Sequence, residues 1–104
     1  MAFYQEPHHY EKTIVSDLQG AWELLREAII QEHESRDCSR LLFHINEAMS
    51  WESVRNFEHM KDTFVLIQSM SQQISVPDKV TELIEDVREI LFEILDEIEK
   101  GKIL

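Results

Sequence analysis

Apolar residues in this chain return at three- and four-residue steps over most of its length, and nowhere do they alternate strand-fashion for a useful distance. That spacing is the one-face period of an α-helix, so the chain is committed to helices that each have one side to bury. Two glycines and two prolines among 104 residues leave little material for turns. Turn-dense β folds and collagen-like chains are thereby excluded, and the length points to a single domain.

Four helices are predicted, over residues 13–34, 38–49, 51–74 and 77–100, after an N-terminal arm of residues 1–12. In the first, Ile14, Leu18, Ala21, Trp22, Leu25, Ala28 and Ile29 make one face. Ser16 and Gln19 have capping-box spacing. Gly20 lies inside the pattern, where it costs about 1 kcal/mol against Ala, and close approach of a neighbouring helix is the expected reason for it. Asp37 is a candidate N-cap for a short second helix that turns Leu41, Leu42, Ile45, Ala48 and Met49 inward. Phe57, Met60, Phe64, Ile67 and Ile74 then follow a heptad track in a different phase. That slip, with Ser50 before Trp51, is the reason to break the chain there rather than run one bent helix from Ser39 to Ile74. Ser75 and Asp78 have capping-box spacing around Pro77, which suits a first turn because its missing N–H costs nothing there. Val80, Leu83, Ile84, Val87, Ile90, Leu91, Ile94 and Ile98 form the broad stripe of the last helix. Gly101 supplies its stop, with Lys100 and Lys102 suited to the negative end of the helix dipole.

No helix of this kind can bury its face alone. The expected fold is therefore all-α, a small antiparallel bundle of four helices in which the second is short and the last two form a long hairpin. A short second helix would leave part of the hairpin for a second copy or another partner to cover.

Twenty-one acidic residues against ten basic ones give a formal charge of −11. Affinity for nucleic acid comes largely from Lys and Arg displacing counterions, and the balance here has the wrong sign for it, as it has for anionic membrane surfaces. No apolar run approaches the roughly 20 residues of a membrane span. The N-terminus has neither a basic nor an apolar signal region, and Cys38 is the single cysteine, so a cytoplasmic setting is expected. Cys38 itself reads as a partly buried, inert residue.

The charge is concentrated late in the chain. Glu82, Asp86, Glu89, Glu93 and Asp96 advance by four, three, four and three and so form one line along the last helix. The plain reading is a solvated outer face. The functional reading is an acidic stripe that docks on a basic protein surface or imitates a phosphate row. Phe92 and Leu95 lie off the main apolar stripe of the same helix and extend the candidate partner-binding set. The competing role for them is packing against the N-terminal aromatics Phe3, Tyr4 and Tyr10. Trp22 and Trp51 read as core or bundle-end residues.

Catalytic signatures are missing. The sequence has no Gly-x-Gly-x-x-Gly, no Walker motif, no His-Glu-x-x-His, no Cys-x-x-Cys and no Gly-x-Ser-x-Gly. The Arg-x-x-x-His pairs Arg40/His44 and Arg55/His59 lack the basic surroundings an RNA substrate needs. Weak metal candidates are His44, Glu47, His59 and Asp62, which would converge if the second and third helices folded back on one another; His8 and His9 with Glu11, or Glu6 with His9, are weaker still. No cofactor is expected. The reading that results is a non-enzymatic acidic helical protein that acts by binding another protein, as an inhibitor, regulator or adaptor of immunity or antitoxin type. A homodimeric structural bundle and a metal-binding enzyme or sensor are the alternatives.

Overall fold

The computed structural model describes residues 9–31 and 36–101. Among them the chain forms four α-helices and no strand: α1 (His9–Gln31), α2 (Arg36–Ser53), α3 (Phe57–Ile74) and α4 (Asp78–Glu99). Their links are short, and each helix packs on its two neighbours in a ring, α1 on α2 and α4, and α3 on α2 and α4. The result is an up-down-up-down four-helix bundle. The backbones of the diagonal pairs stay apart, and the centre between them is filled by side chains. Trp22 of α1 crosses that centre, its indole Nε1 donating to Met60 Sδ of α3 at 3.3 Å. Its ring meets Phe64 edge-on at 6.3 Å between centroids. Leu18, Leu25, Ile29, Leu41, Ile45, Ile67, Leu91 and Ile94 close around this pair, all fully buried.

The core matches the helical periodicity closely, but the element boundaries move. The first helix begins by His9, so part of the expected N-terminal arm is helical and Ser16 lies mid-helix, exposed, rather than at a cap. The second helix is not short. It starts at Arg36, which places Asp37 in its first turn instead of at the N-cap, and its 18 residues equal the length of α3. The break falls at 54–56 rather than at Ser50. Ser50 and Ser53 direct their hydroxyls back to the carbonyls of Glu47 and Ser50, at 2.6 and 2.9 Å, a bond that a mid-helix serine makes without ending the helix. Arg55 takes the left-handed conformation at φ 57°, and Asn56 caps α3 by accepting from the His59 amide at 3.2 Å. Ser75 likewise serves the other end of α3, as a left-handed C-cap at φ 56°, and does not cap α4. Pro77 precedes α4 and offers its carbonyl to Val80 and Thr81. Gly101, at φ 78°, follows the last turn as expected, its amide bonded to the Ile98 carbonyl at 2.9 Å. Lys102 and the aromatics Phe3 and Tyr4 lie outside the described residues.

The last two helices do form a hairpin, but it is the most sparsely packed pair of the ring. The closest pairings are α2 with α3 and α1 with α4. This matters for the surface, because it brings the acidic last helix against the first.

Candidate functional site

Helix α4 sorts its side chains by direction. Val80, Ile84, Val87, Leu91 and Ile94 point to the core. Glu82, Asp86, Glu89, Glu93 and Asp96 are all exposed on the opposite side. Arg88 of the same helix and Lys100 at its C-cap do not cover this row evenly. Arg88 turns towards α3, reaching Glu85 at 3.2 Å and standing 6.0 Å over the Phe92 ring. Lys100 pairs with Asp96 at the end of the row, Nζ to Oδ2 at 3.0 Å. That hydrogen bond, with the charges of Asp96 and Glu97, raises the Lys100 pKa above its usual 10.5.

The two flanks of α4 differ. On the α1 side lies an open groove of about 770 Å³. Its floor is Gly20, Ala21 and Leu24 of α1 with Leu83 and Ile90 of α4, and its rim carries Asp17, Glu23, Glu27, Asp86 and Glu89. Among the described residues no lysine or arginine lines it. Leu24 is 62% exposed here, a large apolar side chain with its face to water. Gly20 contradicts the expectation of a tight helix crossing: a Cβ built on it meets nothing within 4 Å. The glycine opens the groove rather than admitting a neighbour from within the bundle.

On the α3 side, Phe92 and Leu95 line a second depression with Ile98, Glu58 and Lys61. Phe92 is 40% exposed and packs edge-on against Phe64 at 6.4 Å. The predicted partner-binding set is thus divided. The carboxylate row faces outward and borders the α1/α4 groove through Asp86 and Glu89, while Asp96 at its end joins Phe92 and Leu95 at the α3/α4 seam. The acids of α1 that complete the groove were not among the predicted residues. Their signal, Asp17, Glu23 and Glu27 on the exposed side of an amphipathic helix, is ordinary until its neighbour is known.

The metal candidates do not converge. His44 Nδ1 and Glu47 Oε1 are paired at 3.1 Å on α2. His59 instead stacks on Trp51 at 4.7 Å between centroids. Trp51 is seven residues beyond His44, or about 10 Å along the helix, which separates the two histidines by roughly that distance. Asp62 is exposed. Among the described residues no group of three or more His, Cys, Asp or Glu is placed to hold a metal ion. The side chains of the His8/His9/Glu11 and Glu6/His9 sets lie outside those described. Cys38 is buried and free. No helix among the described residues is long and apolar enough to cross a membrane.

Comparison with protein-family models, with curated proteins and with solved structures finds no match. The functional reading therefore rests on this chain's own residues.

Proposed function

We propose that the protein is a binding module for a basic protein partner, acting as an inhibitor, regulator or adaptor, and that the acidic face of α4 with the α1/α4 groove is its docking surface. One observation carries this reading: an apolar floor with an exposed leucine is ringed by five carboxylates from two helices, with no cation among the described lining residues. A solvated face needs the charge but not the exposed leucine or the open glycine beside it. Apolar floor and charged rim together are the anatomy of an interface, in which burial supplies affinity and the rim steers and selects. The groove has the shape for the apolar edge of an amphipathic helix or loop, with lysines or arginines on either side of it meeting Asp17, Glu23 and Glu27 on one bank and Asp86 and Glu89 on the other.

The test is a comparison of proteins retained from the native host by the immobilised chain and by a variant carrying Glu82→Lys, Asp86→Lys, Glu89→Lys and Glu93→Lys. All four positions are exposed, so the bundle is kept. The reading predicts a retained protein of basic surface that is released by salt and lost in the variant. The same proteins retained by both forms would end it.

A further inference from the structure

Of the six large apolar residues exposed outside the groove among those described, Ile30 lies on α1 and Phe92 on the α3/α4 seam, and the other four gather on the other side of the bundle. Phe43, Val54, Val65 and Leu66 all belong to the α2/α3 hairpin. Phe43 is 66% exposed and Leu66 43%. Both lie near one level. Trp51 stacks on His59 across the two helices, so His44 and Leu66, each seven residues further from the link, come level about 10 Å along the pair. Phe43 packs its ring edge-on to His44 at 5.2 Å.

The charge pattern of this face differs from that of the rest of the chain. Residues 63–77 contain no charged side chain, in a protein of which 30% is charged. Arg40, Phe43, Glu47 and Ser50 of α2, with Val54 just past its end, are spaced by three, four, three and four, and all are exposed, which makes them one outward row. Among the described side chains that row holds one cation and one anion, whereas the outward row of α4 holds five anions.

We infer that this face is where a second copy of the chain docks, α2 against α2 in antiparallel fashion about a two-fold axis at Phe43. Self-association of a chain with charge −11 is opposed by its own field, so it must use a face that is locally neutral and keep the acidic faces apart. The outer row of α2 satisfies both conditions. It is neutral, and it lies diagonally across the bundle from α4. The bundle is 22 to 26 Å thick. A dimer joined at α2 therefore holds its two α4 rows several Debye lengths apart at physiological salt, where that length is about 8 Å. The register follows from the same row. With Phe43 on Phe43 at the axis, Arg40 of each copy faces Glu47 of the other, giving two symmetric ion pairs. The neighbouring register, centred on Glu47, sets two carboxylates against each other. Leu66 flanks the contact with the uncharged Ser69 and Gln73. The inference is independent of the groove, which this arrangement leaves open on both copies.

Sedimentation equilibrium of the full chain tests it. A dimer is expected to be populated by about 50 µM, in keeping with a small interface. Phe43→Glu is expected to raise the dissociation constant about 100-fold while the helical circular dichroism is unchanged. Arg40→Glu and Glu47→Arg should each weaken the dimer about 10-fold, and the two together, with the charges exchanged, should return it to within about 3-fold of the parent. A chain still monomeric at about 500 µM overturns the inference. So does a dimer indifferent to Phe43→Glu, or one that the exchanged pair does not restore.

Discussion

Gly20 and Trp22 sit two residues apart on α1 and show what a single position reveals in advance. Trp22 repeats the apolar spacing of Leu18 and Leu25, and it is buried at the centre of the bundle as that spacing requires. Its exchange for Phe removes the Nε1–Sδ contact and leaves space beside Met60, so Trp22→Phe should cost about 1–3 kcal/mol in chemical denaturation. Gly20 signals only that a side chain is missing. Whether that space is filled by a neighbour or left open depends on a helix sixty residues away, and no local pattern records it. Because a Cβ there meets nothing, Gly20→Ala should stabilise the free protein by about 1 kcal/mol through helix propensity alone. Unfolding in urea checks this, and a loss of stability would mean that the helix is packed more tightly at Gly20 than described.

The elements were legible where apolar periodicity is long and ambiguous where capping decides. On α3 Phe57, Met60, Phe64 and Ile67, and on α4 Val80, Ile84, Val87, Leu91 and Ile94, are buried as their spacing predicts, while Leu83 and Ile90 of the same α4 stripe are half-buried at the groove. The link between α2 and α3 is different, because serine caps helices and also bonds back within them, and its sequence does not say which. Ser50 does the second and Asn56 the first. Asn56→Ala should therefore destabilise the protein by about 1 kcal/mol, and Ser50→Ala by much less, in paired denaturation curves. Ser75 holds a left-handed conformation that strains any residue with a Cβ. Ser75→Gly should raise stability by about 0.5–1 kcal/mol, read as a higher melting temperature. At the end of α4 the Lys100–Asp96 bond keeps the lysine protonated beyond its usual range. Its contribution to stability is complete below pH 10.5 and is lost as pH rises through the raised value. A stability profile of Lys100→Met against the parent should accordingly converge above that range.

At the scale of the whole molecule, the acidic row of α4 was readable from its four-three spacing, but the groove beside it was not. A row of charges is a property of one helix. A groove belongs to two, and which two depends on how the ring closes. Here the first and last helices pair closely while the consecutive α3 and α4 pair sparsely, so the carboxylates of Asp86 and Glu89 come to face those of Asp17, Glu23 and Glu27 across Leu24. Phe92 and Leu95, neighbours of the row in sequence, are carried round to the other side. The bundle thus separates an acidic groove between α1 and α4 from the outward row of α2, where Arg40 and Glu47 balance. The direct measurement is an amide-resolved NMR titration of the intact chain with a helical peptide carrying a Leu/Ala edge flanked by lysines, and with its glutamate-flanked counterpart. Gly20 is one of only two glycines, so its amide reports on the groove floor without ambiguity. The lysine peptide alone should shift Gly20, Leu24, Asp86 and Glu89, and salt should reverse the effect. Equal shifts from both peptides, or shifts spread over α2 and α3 with the groove silent, would contradict docking at the groove.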